Sequence, residues 1–171
     1  MSRWRGLATS ACTLASTKTK DSVLPYMSLG LVPYANALRL QDYMVRRRLD
    51  INRGVRHDSV RDIVFILEHP PVYTAGKRLK NQEDEGKRLK TLGAEFFETQ
   101  RGGQLTFHGP GQLVAYPILD IRSYQLNTAC YVSHLEQILI NVCKSYGIEA
   151  QRTQNTGVWV GQDHKIAALG L

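Results

Sequence analysis

Acidic side chains are missing from the first twenty positions, MSRWRGLATSACTLASTKTK, and no apolar run in the 171 residues approaches the ~20 needed to cross a bilayer. The second absence excludes a membrane-spanning helix. The first, together with several Ser and Thr and the early Arg3 and Arg5, gives the composition of an organellar transit peptide, while the longest apolar run is too short for a secretory signal. Residues 1–27 are therefore expected to be a leader outside the fold, an ordinary unstructured N-terminus being the alternative. Cysteine is scarce: Cys12, Cys130 and Cys143 have no metal-type spacing and form no dense framework, so reduced intracellular thiols are expected. Also lacking are a Gly-Lys-Ser/Thr phosphate loop, a helix opening after a G-x-G-x-x-G, and basic residues interleaved with stacking aromatics. These absences argue against P-loop, dinucleotide and nucleic-acid binding.

What is present suffices for one sizeable core, with 43% hydrophobic residues in a length usual for a single domain. The net charge of +7 is uneven, because Arg3, Arg5, Lys18 and Lys20 against Asp21 place about three of those charges in the leader. The body is mildly basic, a balance that suits steering toward acidic partner domains.

Periodicity supplies the elements. VPYANALRLQDYMVRRRLD spaces Tyr34, Ala37, Leu38, Met44 and Val45 as one helix face, with Pro33 suited to the first turn. The run Arg46, Arg47, Arg48 reads as a solvated helix end, or alternatively as a docking patch for an acidic partner. Ile63 to Glu68 is expected as a buried strand stopped by Pro70 and Pro71. KRLKNQEDEGKRLKTLG, dense in both charge signs, reads as an exposed loop with one helical turn. Further strands are expected in AEFFETQ and LVAYPILDI, and GVWVGQDHKIAALGL is expected as a hairpin turning at Gly161 to Asp163. NTACYVSHLEQILINVCKSYG gives a second helix with Val132, Leu135, Leu139, Val142 and Tyr146 as its apolar stripe, Asn127 or Thr128 as its cap and Gly147 as its end. Elements mixed without βαβ alternation indicate an α+β fold with a mixed or antiparallel sheet.

The stretch RGGQLTFHGPGQL holds the chemistry. Its glycines Gly102, Gly103, Gly109 and Gly111 permit close backbone approach and leave N–H groups for a phosphate, a carboxylate or a thioester carbonyl, or make a tight connection with no ligand. Arg101 and His108 favour a ligand, since a turn needs neither. A metal is disfavoured because His108 has no partner ligand at usual spacing and His69 is two strands away.

RGGQLTFHGPGQLVAYPILDI closely resembles the signature of the lipoyl(octanoyl) transferases, which belong with the lipoate and biotin protein ligases in one α+β superfamily. LGLVPYANALRLQDYMV, FILEHPPVYTAGKR and GVWVGQDHKIAALGL agree in order and spacing, so the resemblance covers residues 28–171. It implies transfer of octanoyl from acyl carrier protein to a lysine of lipoyl domains, those of the 2-oxoacid dehydrogenases and the glycine cleavage H protein, with no cofactor, in the mitochondrion rather than the plastid. It also implies a cysteine nucleophile forming an acyl-enzyme thioester and a lysine, matched by Lys165, that lowers the thiol pKa; a nearby ammonium stabilises a thiolate. The family's substrate-contacting positions map onto Arg101, Gly102, Gly103, Gln104, Leu105, Thr106, Phe107 and His108, and onto Ala168, Leu169 and Gly170. Freed glycine N–H groups suit an oxyanion, and an apolar channel suits an eight-carbon chain.

The family's cysteine follows this lysine by a few tens of residues in a Pro-Cys-Gly segment, whereas the sequence ends at Leu171 within an apolar run. The expectation is a truncated catalytic domain with no octanoyltransferase activity alone. The alternatives are a catalytically silent module that binds acyl groups or acidic carrier domains, and an ATP-using lipoate or biotin ligase. The ligase is disfavoured by the lack of a Gly-Arg-Gly-Arg type nucleotide loop.

Overall fold

The structure is a computed structural model that describes residues 23–58, 62–79 and 82–170; the expected leader, apart from its last residues, lies outside them. Two compact units divide the described chain, Val23–Asp120 with Gly170, and Ile121–Leu169.

The larger unit holds two three-stranded sheets. In the first, β1 (Tyr26–Leu31) runs parallel to β2 (Ile63–Glu68), and β2 pairs antiparallel with β6 (Val114–Ile118). Ile63, Phe65 and Leu67 of β2 alternate inward with Val114 and Ile118, and Ala37, Leu40 and Met44 of helix α1 (Tyr34–Asn52) pack on the same core. Each such large aliphatic or aromatic side chain contributes about 1.5–3 kcal/mol on burial. Both outer strands of this sheet are irregular: β1 shifts register between Ser28 and Gly30, where Gly30 has φ +66°, and β6 carries Pro117 opposite Val64. In the second sheet the order is β4 (Glu95–Glu98), β3 (Val72–Ala75), β5 (Leu105–His108), with β3 parallel to β4 and antiparallel to β5. The mixed pairing and the helices agree with the expected α+β class.

Three expectations need correction here. Arg48 is not at a solvated end: it is buried, its Nε 2.9 Å from Asp62, its Nη1 donating to Asn52 Oδ1 at 2.8 Å and its Nη2 3.8 Å from Asp120. The helix runs one turn past the arginines, and its inward face carries Arg48 to the start of β2 and the end of β6. The charged segment after Leu79 forms helix α2 (Gln82–Lys90) rather than a loop. Glu83, Asp84 and Glu85 fill its first turn and Lys87, Arg88 and Lys90 its last, the order the helix dipole favours, and Leu89 is buried. Strands β1, β3 and β5 were not expected, because glycines and prolines at their borders read as turns.

The smaller unit contains a 3₁₀ turn (Ile121–Tyr124), helix α3 (Thr128–Ser145) and the hairpin β7 (Val158–Val160) and β8 (His164–Ala167). Asn127 caps α3 by accepting from Cys130 N at 2.8 Å. Gly147, at φ +72°, donates to Lys144 O and Ile148 donates to Cys143 O, a Schellman ending. The expected apolar stripe is only partly covered, since Val142 and Tyr146 are exposed while Tyr131 and Glu136 are buried. Glu136 turns inward because it is fully engaged: Oε2 accepts from Arg152 Nε at 3.1 Å and Oε1 from Gly157 N at 3.0 Å. Cys143 is a free thiol. No helix among the described residues is long and apolar enough to cross a membrane.

Candidate functional site

The chain leaves β2 at His69, and Pro70 and Pro71 turn it into β3. That turn leaves His69 completely buried. Its Nδ1 lies 2.7 Å from Val32 O, which can only accept, so Nδ1 carries the proton; Nε2 then accepts from the Tyr116 hydroxyl at 2.8 Å. Burial pushes the Tyr116 phenol above its ordinary value, reinforced by the nearby Tyr34 and opposed by a hydrogen bond from Gln41. Both polar ends of this pair are spent within the fold.

Around it stands an aromatic cluster. Tyr34, first residue of α1 and 7% exposed, has its ring 5.3 Å from His69, 5.0 Å from Phe97 and 6.4 Å from His108, the last nearly parallel at 16°. His69 and His108 lie 5.7 Å apart, edge to face. Burial raises the Tyr34 pKa and the Arg101 charge opposes that rise. At the end of β5, His108 Nδ1 donates to Gln112 Oε1 at 2.7 Å, an amide orientation fixed by Gln112 Nε2 donating to Phe107 O at 3.3 Å. The Nε2 lone pair is left as an acceptor. Burial lowers the His108 pKa most, the Gln112 bond opposes, and His69 and Arg101 add to the lowering. The imidazole is therefore held neutral.

The glycine-rich segment is clamped from two sides. Arg101 Nη2 donates to Thr74 O at 2.5 Å and Thr74 Oγ1 at 2.8 Å, and Nη1 donates to Gly102 O at 2.9 Å. Gly76 N donates to Gln104 O, Lys77 N to Arg101 O and Arg78 N to Gly103 O. A Cβ at Gly76 would lie 2.5 Å from Gly103 O and 2.7 Å from Gly102 O, so only glycine admits this approach. Gly103 itself sits at φ +89°. The carbonyls of Gly102, Gly103 and Gln104 are thus consumed, while the Gly102 and Gly103 N–H groups donate to nothing among the described residues. Gly170 rests against Arg101, where a Cβ would lie 3.1 Å from its Cδ.

Strand alternation divides the positions that the sequence presents as one set. Thr106 and His108 pair with Thr74 and Val72 and share their face, whereas Leu105 and Phe107 point the other way, Phe107 packing 5.0 Å from Tyr73. Gly102, Gly103 and Gln104 present backbone. In the smaller unit, Lys165 on β8 is exposed; its Nζ donates to Thr156 O at 3.1 Å and stands 4.6 Å over the Trp159 ring. Ala168 and Leu169 follow β8 in the same unit.

Tyr34, His69, Thr74, Gly76, Phe97, Gln112 and Tyr116 belong to this neighbourhood and were not singled out as site residues. Tyr34 reads in sequence as one more helix-face residue. The useful signal was its position directly after Pro33, in a segment that already carried the resemblance. His69 was set aside as remote from His108, yet β2 and β5 return the two rings to contact; with both of its nitrogens engaged, His69 offers no metal ligand.

Comparison with known proteins places this geometry. The lipoyl protein ligase A/B catalytic domain model matches residues 33–171. Octanoyl-acyl-carrier-protein:protein N-octanoyltransferase LIPT2, mitochondrial, of Danio rerio is 42% identical over 144 residues, 84% of this chain and 62% of that protein. The octanoyltransferase of Solibacter usitatus is 43% identical over 146 residues, 84% of this chain and 63% of its own length. The chain thus spans somewhat over three fifths of these relatives. LipL1 of P. falciparum, solved in complex with lipoate, superposes with a TM-score of 0.59 at 15% identity over 82% of this chain and 41% of that one, a likeness of fold. The chain belongs to the lipoyl protein ligase A/B catalytic domain family.

Proposed function

We propose that this chain carries the acyl-thioester-binding part of an octanoyltransferase acting in protein lipoylation. The observation that carries the proposal is the clamped Arg101–Gln104 segment, whose carbonyls are spent and whose Gly102 and Gly103 N–H groups donate to nothing among the described residues, which suits an electron-rich oxygen. The relatives named octanoyltransferases supply the group transferred. Octanoyl-acyl carrier protein is the donor, and the acceptors are lysines of lipoyl domains in 2-oxoacid dehydrogenases and of the glycine cleavage H protein. The location is mitochondrial, as in the name of the Danio rerio relative.

In the acyl-enzyme route a cysteine thiolate attacks the thioester carbonyl, forming a new sulfur–acyl bond as the carrier's own thiolate is expelled, and the Lys165 ammonium stabilises the attacking thiolate. The contacts with Thr156 O and the Trp159 face hold the ammonium in one place, as this role needs. Cys130 and Cys143 lie on α3 and are not assigned as nucleophile. The ATP-using alternative gains nothing from the ligase-like structures, whose low identity speaks only to fold.

The test is direct binding. The purified chain should bind octanoyl-acyl carrier protein saturably and bind the unacylated carrier at least about tenfold more weakly, the loss expected when two to three buried CH₂ groups' worth of contact is removed. Equal affinity for the two would sink the proposal.

A further inference from the structure

Resting on the octanoyl reading above for the purpose of Lys165, we propose that Glu136 is a positioning residue for that lysine and acts on it through the single peptide group between Thr156 and Gly157. The N–H of that peptide donates to Glu136 Oε1 at 3.0 Å, and its C=O accepts from Lys165 Nζ at 3.1 Å. Carboxylate, peptide and ammonium thus form one chain of hydrogen bonds. A carboxylate at the N–H end of a peptide pushes electron density toward its oxygen, so the first bond strengthens the second. All of these groups belong to the smaller unit.

Anchoring the loop does not by itself account for the arrangement. Glu136 is 8% exposed, and a buried carboxylate is costly unless its oxygens are engaged. Its Oε2 already ties the loop to α3 through Arg152, whose Nη2 and Nη1 donate to Ser133 O and Gln137 Oε1 of the same helix at 2.7 and 3.0 Å. Oε1 is spent instead on the one peptide that holds the lysine. Gly157 has φ +128°, and a Cβ there would lie 2.8 Å from Ala167 O and 3.2 Å from Lys165 Cε, so glycine lets the lysine stem pass directly over this peptide. Trp159 supplies the remaining side: its Nε1 donates to Asn155 O at 3.0 Å, which fixes the ring beneath the ammonium. A charge on a flexible four-carbon stem serves a thiolate at one place only if it is held, because a free stem scatters it over many rotamers.

The experiment uses the whole chain, with melting temperatures recorded for every variant. In its first arm, brief acetylation by N-hydroxysuccinimidyl acetate is followed by mass spectrometry of each lysine. Lys90 and Lys144 are the internal references, being exposed and making no side-chain hydrogen bond or ion pair among the described residues. Lys165 should react more slowly than both, and Glu136→Gln should speed Lys165 about fivefold relative to them, the usual worth of one hydrogen bond. In the second arm, the Gly157 amide proton is followed by NMR in wild-type protein and in Lys165→Met, a substitution at an exposed position. Its resonance should move upfield when the ammonium is removed, a response across the peptide that a carboxylate serving only as an anchor would not give. Where Glu136→Gln does not fold, the second arm decides. An unmoved Gly157 resonance, or a Lys165 rate in Glu136→Gln that rises no more than the Lys144 rate, overturns the inference and leaves the octanoyl reading standing. Failure of the wild-type chain to bind octanoyl-acyl carrier protein overturns the octanoyl reading and this inference with it.

Discussion

At the residue scale, the site depends on places where a side chain is too small or too well anchored to be exchanged. Gly76→Ala would drive a methyl into two backbone carbonyls that cannot swing aside, and we expect a loss of about 1–3 kcal/mol in urea unfolding together with weakened octanoyl-carrier binding. His108 makes the fold sensitive to acid. Its folded-state pKa lies below the ordinary 6.5, so as pH falls through that value the unfolded chain takes up a proton before the folded one does. Its contribution is complete above 6.5 and is lost as pH drops through the depressed folded value. Melting temperature measured from about pH 7.5 down to about pH 5 should fall, and His108→Gln should flatten that fall; an identical slope in the variant would remove His108 from the account. Several of these residues were legible in sequence as types, such as an arginine and a histidine among glycines. Their roles were not. That Arg101 spends its guanidinium on Thr74 depends on β3 lying beside β5, a pairing that no local pattern records.

At the element scale, the cluster joining α1 to the end of the first sheet where β2 begins and β6 ends is the clearest target. Arg48→Ala should destabilise by about 3–5 kcal/mol, because it removes one partner of the buried ion pair with Asp62. Arg46→Ala, two residues away and exposed, should stay within about 0.5 kcal/mol. Chemical denaturation of the two variants side by side checks the contrast, which a reading of RRR as a uniform solvated run does not foresee. Strand β2, helix α3 and the β7–β8 hairpin followed from period and punctuation, since apolar spacing and capping residues act locally. Helix α2 was missed because its stabilisation comes from charge order and from one buried leucine, both of which look like loop composition when counted. Strands β1, β3 and β5 were missed because each is short and bordered by glycine or proline, and each is held by partners far along the chain.

At the scale of the whole molecule, the net charge of +7 bears on encounter with other proteins more than on the fold. Binding of an acidic acyl carrier should weaken as salt rises from about 0.05 to about 0.3 M, mainly through a slower association rate, whereas binding of S-octanoyl-pantetheine should change little. Stopped-flow association at two salt concentrations tests this, and equal salt dependence for the two ligands would count against steering. The α+β class was readable from the mixture of elements, but the division into two sheets was not, because it is set by long-range pairing. The two outer strands of the first sheet carry one last implication, for solubility. A further strand seeking to extend the ladder would meet a kinked register along one border and a missing N–H donor at Pro117 on the other. Templated growth between copies at high concentration is thus discouraged at both borders, and the sheet is in effect closed to recruitment while remaining open in form.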